Sequence, residues 1–157
     1  MKRSGYRGSY KKGSGYLYKK NKIGFKVFRD EVEYSSELSA VDRGRFLDLC
    51  SMGEGNTQRL VYKSNGVYKK MTIEYIRKRL EIGRTKCCSL IKDYIRLGML
   101  KRDSEGYLVV NPKYGMRSKY LSSEVYELFE DELGSELSQW VVRELISERI
   151  ERIEREE

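Results

Sequence analysis

The chain has 157 residues, 39% of them hydrophobic, which is enough for one modest core with appendages but not for a second full domain. It has no histidine, and its three cysteines, Cys50, Cys87 and Cys88, form no C-x-x-C pair, so neither a metal nor a cofactor is expected and the thiols read as small buried or free groups. The formal charge of +8 is unevenly spread: residues 1–22 hold eight basic and no acidic side chains, residues 23–121 hold 20 basic and 12 acidic, and residues 122–157 hold 4 basic and 12 acidic. A basic arm and body call for a polyanionic partner, and an acidic tail calls for another role.

Residues 1–22 repeat Gly, Ser, Tyr and Lys/Arg with little to bury, so this arm is expected to be disordered alone. Lys2, Arg3, Arg7, Lys11, Lys12, Lys19 and Lys20 can neutralise phosphates, while the interspersed tyrosines can stack on bases; the plain alternative is a solubilising tail. In residues 23–34 the apolar Phe25 and Val27 alternate with polar neighbours, which predicts a strand. Ser39 can cap a helix from Ala40 to about Met52, with Val41, Phe46, Leu47, Leu49 and Cys50 as its apolar set. Asn65-Gly66 then stands between two strand-like runs and predicts a tight hairpin, one strand of which can join a larger sheet.

The run from Ile73 to Leu100 carries the strongest pattern. Ile73, Ile76 and Leu80 line one face of a helix capped by Thr72, Ile82 plugs a turn, and Cys87, Ile91, Tyr94 and Ile95 line a second helix that stops at Gly98. Two strand-like pieces around the polar turn Asp103–Gly106 follow at once, and the combination reads as a winged helix-turn-helix. Arg84, Thr85, Lys86, Cys88, Ser89 and Lys92 lie off the apolar face of the second helix, where a recognition helix presents short hydrogen-bonding groups and cations to base edges. In the wing only the flanks of the acidic tip are cationic or aromatic, so Lys101, Arg102 and Tyr107 are expected on the DNA backbone; a solvated helix face and a solvated loop are the plain alternatives.

Ser122 to Leu133 predicts a short helix with Val125, Leu128, Phe129 and Leu133 on one side. After Gly134 a longer amphipathic helix carries Trp140, Val141, Leu145, Ile146, Ile150 and Ile153, a stripe long enough to form a homodimer interface. The alternatives are that it folds back on its own domain or docks a different protein.

The stretch Ile73–Leu100 resembles the winged helix-turn-helix of bacterial regulators of the MarR and GntR type, with Gly98-Met99-Leu100 in place of their Gly-Leu-Ile ending. The longer stretch Phe25–Tyr114, including FKVFRDE, LSAVDRGRFLDLC and VVNPKYG, more closely resembles the RepL-like replication proteins of plasmids and phages. Glu81 stands where these turns often have Gly, and Cys87 where Val is common. The resemblance implies binding at an origin or operator, with Arg84, Thr85, Lys86 and Ser89 as recognition-helix positions.

The expectation is therefore an α+β protein: a disordered basic arm (1–22), a winged helix-turn-helix domain (23–121) and an acidic helical C-terminal extension (122–157). It would bind double-stranded DNA by sequence, as a replication initiator or transcriptional regulator; an RNA or single-strand binding module is the alternative, favoured by the tyrosine-rich arm. Without histidine, a metal-ligand cluster or a glycine-rich phosphate loop, an enzyme is not expected. No run approaches the roughly 18 apolar residues of a membrane span, and no apolar signal-peptide core leads the chain, so a cytoplasmic location without a membrane partner is expected.

Overall fold

The computed structural model of the protein describes residues 10–11, 15–17, 26–27, 37–55, 57–116, 120–133 and 139–156, and it is a mixed α+β structure. Three short strands come first: β1 (Tyr10–Lys11), β2 (Gly15–Leu17) and β3 (Lys26–Val27). Ser39 then stands in extended backbone, and its hydroxyl accepts from the Asp42 N–H at 3.1 Å to start helix α1 (Ala40–Cys50). Phe46, Leu49 and Cys50 are buried at i, i+3, i+4 spacing, whereas Val41 and Leu47, expected in the same apolar set, point off that line and are exposed.

Strands β4 (Val61–Ser64) and β5 (Val67–Lys70) pair through Asn65 and Gly66, both at positive φ (49° and 77°), as the Asn-Gly signal requires. Thr72 caps helix α2 (Ile73–Leu80) by accepting from the Tyr75 N–H at 3.1 Å. Glu81, Ile82 and Gly83 turn the chain into helix α3 (Arg84–Arg96), and Gly98, at φ +72°, releases it into the hairpin of β6 (Leu100–Arg102) and β7 (Leu108–Val110). Upstream residues 58–60 add to this hairpin: the Leu60 N–H donates to the Leu108 carbonyl at 2.7 Å, and the Val110 N–H to the Gln58 carbonyl at 2.9 Å. The segment before β4 thus extends the sheet, while β5 keeps a free outer edge among the described residues.

Strand β7 is buried on both sides, which organises the rest. Leu108 and Val110 face a first core with Phe46, Leu60, Ile76, Cys87, Leu90, Tyr94 and Leu100. There the Tyr94 ring meets Phe46 edge-on at 5.2 Å and its hydroxyl donates to the Asp42 carbonyl at 2.5 Å; burial pushes the phenol pKa well above its ordinary value. Val109 faces the other way, because side chains alternate along a strand. It joins a second core with Met116 of β8 (Gly115–Met116), Leu121 of β9 (Tyr120–Leu121), Val125 and Tyr126 of α4 (Ser123–Leu128), Phe129, Leu133 of α5 (Glu130–Leu133) and Leu145 of α6 (Gln139–Glu156).

Three expectations change accordingly. The acidic helices are packed against the back of β7 rather than left as an appendage, so Leu145, expected in a dimer interface, is 1% exposed inside its own chain. The single helix expected over 122–133 is two, because the backbone of Phe129 leaves the helical region (φ −115°, ψ 25°) as its ring is buried. In the arm, β1 pairs with β2 and β2 with β9, so the expected disorder does not extend to these five residues; tyrosine favours strands, and β9 offers an edge to extend. Lys11 falls in β1, and Lys2, Arg3, Arg7, Lys12, Lys19 and Lys20 lie outside the described residues. Strand β3 pairs with β8, in keeping with the strand expected around Val27. Among the described residues no helix is long and apolar enough to cross a membrane.

Candidate nucleic-acid interface

The N-terminus of α3 differs from those of the other capped helices. Helices α1, α2 and α4 begin with a Ser or Thr hydroxyl cap and an acid in the first turn, Asp42, Glu74 and Glu124 respectively. Helix α3 begins at Gly83, with no side-chain cap and no acid in its first turn. Its first N–H groups have no side-chain acceptor at the cap, and no acid in the first turn offsets the positive end of its dipole.

Arg84, Thr85, Cys88, Ser89 and Lys92 line one shallow open depression on this helix, so the sequence-expected reading set is contiguous in space. All but the half-buried Cys88 are exposed, and neither Arg84 nor Lys92 makes an ion pair among the described residues. Lys86 differs: its ammonium lies 3.1 Å from Asp42 of α1. Burial alone would raise the Asp42 pKa, but Arg45 and Lys86 hold that carboxyl below its ordinary range. Lys86 remains half exposed at 49%, and an exposed pair of this kind is worth no more than about 1 kcal/mol, little enough for a phosphate to compete with it. Cys87 sits behind this face in the core, its thiol donating to the Ile73 carbonyl at 3.7 Å, and burial raises its pKa.

The hairpin residues distribute differently from expectation. Lys101 stands between Leu100 and Arg102 on β6, and alternation turns it away from the first core toward the acidic helices. Its ammonium is 2.8 Å from Glu132 and 5.6 Å from the centre of the Phe129 ring, so Lys101 fastens α5 to the sheet instead of facing outward. Tyr107 is likewise held within the fold, with the Arg59 guanidinium 4.3 Å and the Lys70 ammonium 4.9 Å from its ring centre. Arg102 stays exposed and donates to the Gly106 carbonyl at 3.2 Å.

Arg59 was not singled out in the sequence, yet it neutralises the hairpin tip, with Nε 2.7 Å from Asp103 and Nη2 3.1 Å from Glu105. The sequence carries no signal for this role, which follows from the bridge that Arg59 makes to Val109 of β7. The tip is further fixed by Asp103 Oδ1, which accepts from the N–H groups of Glu105 and Tyr107 at 3.0 and 2.9 Å.

The turn that sets α3 against α2 holds the non-glycine Glu81 in the left-handed region, φ 55° and ψ 45°. Such a conformation costs an L-residue roughly 1–2 kcal/mol, and glycine gives back part of that gain by loosening the unfolded chain. Glu81→Gly is therefore expected to stabilise the protein by about 0.5–1 kcal/mol, read as a higher urea midpoint at unchanged slope. A lower midpoint would show that the Glu81 side chain stabilises the turn by more than its backbone strain costs.

Among the described residues no cluster of His, Cys, Asp or Glu could hold a metal ion. No protein-family model, no curated protein and no solved structure matches this chain.

Proposed function

We propose that the chain is a sequence-reading double-stranded DNA-binding protein, with α1, residues 58–60, α2, α3 and the β6–β7 hairpin acting as a winged helix-turn-helix. The observation that carries this reading is the exposed N-terminal face of α3, uncapped and acid-free, with Arg84 and Lys92 in no ion pair among the described residues. A recognition helix enters the major groove by that end, where Arg can bridge O6 and N7 of guanine and Thr or Ser can meet base edges. Arg102 is the remaining exposed cation of the hairpin flank and is assigned to the backbone. The basic arm, residues 1–22, would add salt-dependent phosphate contacts.

The resemblance to RepL-like and MarR/GntR-type proteins supports a role as a plasmid or phage replication initiator or a transcriptional regulator, since both use the same reading head. The expected place of action is plasmid or phage DNA in the bacterial cytoplasm.

Two copies would set two reading helices about one helical turn apart. Ile146, Ile150 and Ile153, exposed at 37%, 51% and 46%, follow a 4-then-3 spacing on the outer face of α6 and are the residues assigned to that contact. Leu145 is spent internally, and the side chains of Trp140 and Val141 lie outside the described residues. Ile150→Glu is expected to weaken self-association at least about tenfold, a charge in an apolar seam costing well over 1.4 kcal/mol. Light scattering across a dilution series reads it; a wild-type chain that is monomeric throughout removes the dimer.

Fluorescence anisotropy on a duplex flanking the gene, competed by random duplex and by RNA, tests the reading. A preference of about a thousandfold for the flanking duplex supports it. Equal competition by all three nucleic acids opposes it.

A further inference from the structure

The loop after α1, the β4–β5 hairpin and α2 enclose a half-open cleft of about 340 Å³, near the lower end of the usual range for small-ligand sites. Tyr62, Tyr68, Tyr75, Arg79 and Glu54 line it. Tyr62 and Tyr75 stack with centroids 4.3 Å apart and planes 12° from parallel, making a rigid aromatic wall. Tyr68 projects from β5 and is 59% exposed, with the Lys63 ammonium 5.7 Å from its ring.

The polar groups around these rings are arranged for an anion attached to a flat base. Arg79 is half exposed, and its only ion pair among the described residues is a long one, 3.8 Å to Asp48, which leaves most of its donors available. Lys63 is exposed beside Tyr68, its partner across the hairpin, and the exposed Lys69 is the partner of Tyr62. One Glu54 oxygen accepts from the Thr57 hydroxyl at 2.6 Å, leaving the other to accept from an exocyclic amino group, as carboxylates do from cytosine. A paired base cannot reach such a wall, because its faces are already stacked in the duplex.

We propose that this cleft binds an unpaired nucleotide of a single-stranded nucleic acid, its base against Tyr68 and the Tyr62–Tyr75 wall and its phosphate on Arg79 and Lys63. Aromatic platforms beside cations are the usual means of holding a single strand without sequence preference. The inference rests on reading the chain as nucleic-acid-binding and adds a site on elements other than α3.

The test uses the full chain, titrated at neutral pH against fluorescein-labelled oligo(dC) and oligo(rC) of about 12 nucleotides, whose bases carry the amino group that Glu54 would accept from. Tyr68→Ala removes an exposed side chain and leaves both cores intact; it is expected to weaken oligonucleotide binding about 5- to 100-fold, with Tyr68→Phe restoring it. Arg79→Ala is expected to weaken binding and to flatten its salt dependence. Duplex binding should be unchanged in Tyr68→Ala. The arm is identical in all four proteins, so differences among them report the cleft, and the tighter of dC and rC names the sugar. Equal binding by all four, or no binding by the wild type, overturns the proposal. If the variants lose oligonucleotide binding while no duplex is preferred over random DNA, the cleft stands and the duplex reading fails.

Discussion

Arg84→Ala is expected to weaken binding to the target duplex by about 1–3 kcal/mol and to relax preference at a single base pair, while binding to random duplex changes little. The reason is positional. Arg84 is the first residue of α3, exposed and without an ion pair among the described residues, so its guanidinium is available to form two parallel hydrogen bonds to one guanine. Arg84→Lys should recover little of the loss, because an ammonium cannot reproduce that fork. Anisotropy titrations of the three proteins on target and random duplexes decide the matter. Equal losses on both would assign Arg84 to a phosphate.

Phe129→Ala is expected to destabilise the whole protein by about 3–5 kcal/mol, the usual range for emptying a buried aromatic site. Phe129 is fully buried at the break between α4 and α5, beneath the ammonium of Lys101 and among Val109, Met116, Leu121 and Leu133. Because Val109 belongs to the same strand as Leu108 and Val110, loss of the second core should loosen the first. Urea unfolding followed by far-ultraviolet circular dichroism and by the fluorescence of the single tryptophan should shift together. A tryptophan transition that moves alone would make residues 122–157 an independent unit.

Much of the fold was legible because local chemistry dictated it. Ser39, Thr72 and Ser122 each accept from a backbone N–H three residues on, and Asn65-Gly66 makes the turn its φ preferences allow. The exposed face of α3 was legible for the same kind of reason, since 3.6-residue periodicity separates the buried Cys87, Ile91 and Tyr94 from Arg84, Ser89 and Lys92; Leu90, not placed on the apolar face, is fully buried, and Ile95, placed there, is only partly so. What escaped the sequence depended on contacts distant along the chain. Nothing in Leu108-Val109-Val110 says that both faces are covered, so the role of Lys101 as a tether to Glu132 could not be seen, nor the internal burial of Leu145. The aromatic cleft escaped for a similar reason: Tyr62, Tyr68 and Tyr75 belong to three elements and meet only once the hairpin lies against α2.

The measurement that bears most directly on sequence reading by α3 is selection of bound duplexes from a fully randomised library by the full-length protein, at near-physiological salt. The expected result is a recurring pair of half-sites about one helical turn apart, with Arg84→Ala losing preference at one position in each. A bound pool that stays as random as the input would contradict sequence-specific recognition and leave only phosphate-driven binding.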